Sequence, residues 1–109
     1  MNEKLQQQHG DVLVFRLETL PRGLKRQPPQ NGRHVLAEGE ATGHAHAICD
    51  LENCDLYADE NGTLYLEVRA EVDLTHEEHH TQTITPGAYR IGRVREVDPF
   101  ADEIREVQD

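Results

Sequence analysis

The sequence predicts an all-β fold, a single small β-barrel or sandwich of about eight short strands. Short apolar and β-branched runs recur along the chain, and turn residues separate them at intervals of about 8–12 residues. No stretch has the periodicity of an amphipathic helix. With 109 residues the chain has the size of one ordinary domain. We therefore predict a flexible N-terminus at residues 1–9 and a single β domain at residues 10–109.

The first half of the chain alternates between short strands and turns. Residues 12–16 are apolar and β-branched, which predicts a buried strand. Residues 24–33 are basic and contain proline and Asn-Gly, which predicts an exposed loop because proline lacks a ladder donor and Asn-Gly favours positive φ. Residues 34–38 and 44–48 predict two further strands.

The second half contains the strongest local signal. Asn61-Gly62 lies between the apolar runs 56–58 and 64–68, and Asn-Gly in this position predicts a β-hairpin. The alternating residues 70–74 predict a half-buried strand. Further strands are expected at 81–84, at 89–97 after the Pro86-Gly87 turn, and at 104–107, where a short helical turn is the alternative.

Composition restricts the possible partners. The net charge is −10, from 21 acidic and 11 basic residues. This balance argues against nucleic acid, which needs a basic protein face, and against anionic membranes. No apolar run approaches the roughly 20 residues of a membrane span, and the polar start lacks a signal peptide, so we expect a cytoplasmic protein. Apolar residues make up only 36%, which predicts a thin core stabilised by homo-oligomer formation or by bound metal.

Two smaller features have ordinary interpretations. Cys49 and Cys54 are spaced too far apart for a tight zinc knuckle, and we interpret them as free thiols. Arg90, Arg93 and Arg95 alternate imperfectly with acidic and apolar residues. They could hold an anionic substrate or face the acidic surface of another subunit. Salt bridges at the surface are the simpler interpretation.

The most informative feature is a pair of histidine clusters. His44 and His46 stand on one face of the predicted strand, roughly 6–7 Å apart at the backbone, close enough to reach one cation. The second cluster is His76, His79 and His80. We expect one helical turn there, capped by Thr75, which would bring its histidines to one side. His9 and His34 are expected to be ordinary surface residues.

Convergence of the two clusters would create a metal site. Neutral imidazole nitrogen suits zinc, iron and nickel, so a divalent ion of this kind is the expected cofactor. Three protein ligands would leave an open catalytic position, whereas four would make a closed structural site. Glu77 and Glu78 are candidate ligands, orienting groups or general bases. A solvated or pH-responsive polar surface is the alternative interpretation of both clusters.

Two resemblances accompany these patterns. The segment Gly-Glu-Ala-Thr-Gly-His-Ala-His at 39–46, with a later histidine before Pro86-Gly87, resembles the metal-binding signature of cupins. That resemblance implies that His44 and His46 are metal ligands. The whole chain is also similar to a group of small bacterial and phage-type proteins without an established function. They share the Gly-Asp-Val-Leu opening, the Thr-Gly-His-x-His and His-Glu-Glu-His segments and the Arg-Glu-x-Asp-Pro ending, which implies a common fold but no activity.

Three hypotheses follow from the sequence. The first is a divalent-metal-binding β-barrel that uses both histidine clusters, with its reaction, catalytic residues and small-molecule ligand unidentified. The second is a non-enzymatic interaction or oligomeric assembly module with interfacial or surface histidines. The third, motivated only by the arginine-bearing strand after Pro86-Gly87, is a nucleotide-binding barrel.

Overall fold

The computed structural model describes residues 3–38 and 44–94, and these residues confirm the predicted all-β fold. Across these two ranges, ten strands are accompanied by one 3-10 turn at Leu51–Asn53. In chain order the strands are β1 Lys4–His9, β2 Val12–Leu17, β3 Lys25–Gln27, β4 His34–Glu38, β5 Ala45–Ile48, β6 Cys54–Ala58, β7 Leu64–Val68, β8 Val72–His76, β9 His79–Ile84 and β10 Gly87–Arg93.

The strands form two antiparallel sheets that fit a sandwich rather than a closed barrel. The larger sheet has the order β1-β2-β10-β7-β6-β3, and the smaller has the order β4-β5-β8-β9. Apolar side chains of both sheets point inward and pack between them, as in other β-sandwiches. The main core combines side chains of both sheets, among them Val12, Val14, Leu66, Val68, Tyr89, Leu36, Ile48, Leu74 and Ile84.

The predicted Asn-Gly hairpin is confirmed between β6 and β7. Gly62 has a φ of 84°, a value that glycine adopts without steric cost. The Asp59 carboxylate accepts hydrogen bonds from the backbone N–H groups of Asn61 and Thr63, both at 2.9 Å. The side chain of Asp59 therefore fixes the turn that the Asn-Gly pair permits.

Two segments that were expected to lie outside the sheets are strands instead. Residues 4–9, within the predicted flexible terminus, pair with β2 as the edge strand β1. Residues 25–27, within the predicted exposed loop, pair with β6 as the edge strand β3. Both strands are polar because an edge strand at the surface needs few apolar side chains, so their composition resembles that of a loop.

The helical turn predicted around His76–His80 is a β-hairpin. Strand β8 pairs directly with β9, and His76 lies opposite His79 across a two-residue turn formed by Glu77 and Glu78. The strand periodicity on both sides of the turn outweighs the local capping signal. Cross-strand pairing brings the two histidine rings together without a helix.

The predictions of arginine salt bridges and free thiols agree with the structure where it describes them. Arg90 pairs with Glu3 through Nε at 2.6 Å and Nη2 at 3.0 Å, and Arg93 pairs with Asp11 at 2.8 Å. Both cysteines are free thiols. Within the described ranges, no helix is long and apolar enough to cross a membrane. Arg95 and the strands expected beyond residue 94 lie outside those ranges.

Candidate metal centre

Four histidine rings meet where β1 of the larger sheet approaches the smaller sheet. His9 ends β1, His46 lies in β5, and His76 and His79 flank the β8–β9 turn. Ring centroids are 4.4 Å apart for His46 and His76, 4.6 Å for His76 and His79, and 5.0 Å for His9 and His46. The two predicted clusters therefore converge, and a histidine that sequence reasoning had assigned to the surface joins them.

Irregular strand pairing shapes this region. The register shifts between the pairs Leu74–Gln82 and His76–His79, where β9 holds one more residue than β8. Similar shifts occur in the β4–β5 pair beside His46 and in the β1–β2 pair. Bulges of this kind re-aim side chains and are frequent next to functional sites.

Two groups of potential ligands share one histidine. The ligating atoms of His46, His76 and His79 all lie within 4.8 Å of one another. The same holds for those of His44, His76 and Glu77. The two histidines of the His-x-His segment thus belong to separate groups, with His76 common to both. The exposed side chain of His80 belongs to neither group.

His9 and His34 are not surface residues, so their sequence-based assignment was wrong. Their exposed fractions are 1% and 4%. Alternation along β1 was the available signal, because Leu5, Gln7 and His9 occupy the more buried phase of that strand. The prediction of a flexible segment at residues 1–9 gives this alternation no weight. His34 begins β4, and burial lowers its pKa from the ordinary value.

Burial keeps the central ring neutral. The pKa of His46 is lowered to about 4, chiefly by loss of solvation and in addition by the neighbouring histidines His76 and His9, against the opposing effect of Asp11. The pKa of His9 is also lowered, chiefly by burial. Neutral imidazole is the form that binds a metal ion. His46 is therefore in the ligating form at neutral pH.

Hydrogen bonds connect the ring of His9 to His46 and to His80. Its Nδ1 lies 2.9 Å from Nδ1 of His46. Its Nε2 lies 2.8 Å from the backbone carbonyl oxygen of His80. Through His9, the larger sheet is linked to both β5 and β9 of the smaller sheet.

Carboxylates surround the histidine cluster. Asp11 Oδ1 lies 3.5 Å from Nε2 of His46, and Glu78 Oε2 lies 3.6 Å from Nδ1 of His44. Glu77 Oε1 accepts a hydrogen bond from the backbone N–H of Ala45 at 3.0 Å, which lowers the pKa of this carboxyl group. These negative charges favour a cation at the centre of the rings.

The cluster is buried on one side and open on the other. His46 is 2% exposed, His76 is half-buried and His79 is exposed. An ion held by these three rings would keep one side accessible to water, as in zinc sites with three protein ligands.

Fold and site together define an antiparallel β-sandwich with a histidine cluster at the junction of its two sheets. The chain belongs to the family described as Domain of unknown function (DUF8820), which residues 8–94 match. The matched region contains every histidine of the cluster. No cupin family matches the chain. The chain matches no curated protein and no solved structure at a significant level.

Proposed function

We propose that this protein binds a divalent metal ion of the zinc class through His46, His76 and His79. The observation that carries the proposal is the approach of their ligating nitrogens to within 4.8 Å of one another, from three different positions in the smaller sheet. Three imidazoles suit zinc, nickel or iron, whereas magnesium and calcium prefer oxygen ligands. Magnesium therefore serves as the negative control.

Zinc binding would fix the separations of these ligand atoms. A tetrahedral zinc ion with nitrogen ligands at about 2.0–2.1 Å holds neighbouring ligand atoms about 3.3 Å apart. The buried ring of His46 is fixed by its packing, whereas the exposed ring of His79 is free to adjust. We therefore expect His46 to be the anchor of the site and His79 to close on the ion.

The first test measures zinc binding to protein purified without a histidine tag. We expect one equivalent of zinc and no response to magnesium. His46→Ala and His79→Ala should each weaken binding by about 100-fold or more, because each removes one of three ligands. His80→Ala is the matched control: it removes a neighbouring histidine of the same strand that belongs to neither ligand group, and affinity should stay within about twofold.

Two results would refute the proposal. One is an uptake of less than about a tenth of an equivalent of zinc by the wild-type protein, because a real site would approach full occupancy. The other is a loss of affinity in His80→Ala as large as that in His79→Ala, which would indicate non-specific binding by exposed imidazoles.

A second prediction concerns the β8–β9 turn. The backbone N–H of Glu78 donates to Nδ1 of His76 at 3.0 Å, so a neutral His76 ring carries its own hydrogen on Nε2. A metal on Nδ1 displaces this N–H, and a metal on Nε2 moves the ring hydrogen to Nδ1. Either outcome breaks the hydrogen bond. We expect zinc to accelerate amide hydrogen exchange at Glu78, measured by NMR. The amide of Asn61, in the β6–β7 hairpin of the larger sheet, is the control and should exchange at an unchanged rate.

A further inference from the structure

The buried ring of His9 has a role that the ligand groups do not explain. His9 belongs to neither group, yet it is 1% exposed and uses both of its ring nitrogens in short contacts. A packing role alone would be served by an apolar side chain at lower cost, since a buried polar group must be hydrogen-bonded.

The direction of each hydrogen bond follows from the partner atoms. The carbonyl oxygen of His80 can only accept, so Nε2 of His9 donates to it. In a neutral His9 ring, Nδ1 then has no hydrogen and must accept from Nδ1–H of His46. His46, also neutral, is left with its lone pair on Nε2. The reverse direction would require a doubly protonated, cationic His9 at a position that is 1% exposed.

We infer that His9 is a positioning residue: its hydrogen bond fixes His46 in the tautomer whose Nε2 lone pair is available to the metal. This inference rests on the proposed metal-binding function. We call the chain of hydrogen bonds from His46 through His9 to His80 the relay. His80 contributes its backbone carbonyl and not its side chain, and because this oxygen can only accept, it sets the direction of the relay. Metal-binding histidines generally donate their second ring N–H to such a partner, which fixes the ring and raises its basicity.

The surroundings of His46 Nε2 suit a bound cation. Asp11 Oδ1 lies 3.5 Å from this nitrogen, which is longer than a good hydrogen bond, and Oδ2 of the same carboxylate pairs with Arg93. The negative charge of Asp11 favours a divalent ion on Nε2.

The direct experiment is NMR of the wild-type ring nitrogens in metal-free protein at neutral pH. Two-bond proton–nitrogen correlations identify the protonated nitrogen of each histidine. We expect hydrogen on Nδ1 of His46 and on Nε2 of His9. Hydrogen on Nε2 of His46 would overturn the inference, whatever the outcome of the zinc titration.

Variants of His9 connect the tautomer to binding. In His9→Gln, the amide nitrogen can donate to the His80 carbonyl and the amide oxygen can accept from His46, so the relay direction is kept. We expect zinc affinity within about threefold of wild type, because a conserved outer hydrogen bond preserves affinity. His9→Phe keeps an aromatic ring without the relay, and affinity should fall on the order of 10–100-fold. His34→Gln, at a buried histidine outside the cluster, is the matched control and should not change affinity.

The outcomes separate the two proposals. If wild-type protein binds no zinc, the proposed function fails, while the NMR measurement still decides the tautomer. If wild-type protein binds zinc and His9→Phe binds it equally well, the inference about His9 fails and the metal site stands. Should His9→Phe not fold, wild-type NMR and the His9→Gln affinity decide, and a loss of more than about tenfold in His9→Gln would contradict the inference.

Discussion

Lowering the pH from 6.5 to 4 is expected to remove about 3 kcal/mol of the free energy of unfolding of the metal-free protein through His46 alone. In the unfolded chain this imidazole takes up its proton near its ordinary pKa of 6.5, whereas in the folded protein it does so only at about 4. Between these values the unfolded state binds more protons than the folded state. Stability is therefore complete above pH 6.5 and is lost as the pH falls.

The measurement is denaturant unfolding of chelator-treated protein at several pH values. Carboxyl groups titrate in the same range, so wild type must be compared with His46→Gln, which keeps a polar side chain of similar size without its titration. The wild-type curve should fall more steeply with acidity between pH 6.5 and 4, by about 3 kcal/mol in total. Parallel curves would show that His46 is already solvated in the folded protein. Such a loss is large against the roughly 5–15 kcal/mol that stabilise an ordinary domain.

Much of the fold could be predicted because it depends on local patterns. The Asn61-Gly62 turn, the apolar run 64–68 and the alternation of 70–74 act over a few residues, and the structure has strands at Leu64–Val68 and Val72–His76. The edge strands β1 and β3 could not be identified in this way. Their polar residues match those of a loop, and pairing with β2 and β6 is a long-range property.

The site was predictable only in part, for a related reason. Strand periodicity indicated that His44 and His46 share a face, and residue type indicated metal chemistry. The pairing of β5 with β8 brings His76 to both of them, and no local pattern encodes that pairing. The register shifts beside the cluster decide which ring meets which, and they too depend on the assembled sheet.

Replacing Gly10 by alanine is expected to weaken zinc binding by about tenfold or more, because metal–nitrogen distances tolerate an error of only about 0.2 Å. Gly10 connects β1 to β2 with a φ of 61°. A Cβ atom there would lie 2.6 Å from Nε2 of His79 and 3.0 Å from Cε1 of His46. The exposed ring of His79 would have to move away, and with it one of the three proposed ligands.

Gly62→Ala separates this contact from backbone strain. Gly62 also has a positive φ, 84°, but an added Cβ would meet no atom within 4 Å. Both variants should lose stability by about 1–2 kcal/mol, the cost of a side chain in the left-handed region. Only Gly10→Ala should also lose zinc affinity. Its added Cβ meets the side chain of His79, which moves more easily than the backbone, so a proposed ligand is displaced. Equal zinc affinity in the two variants would place the ion away from His79, on the side of His44 and Glu77.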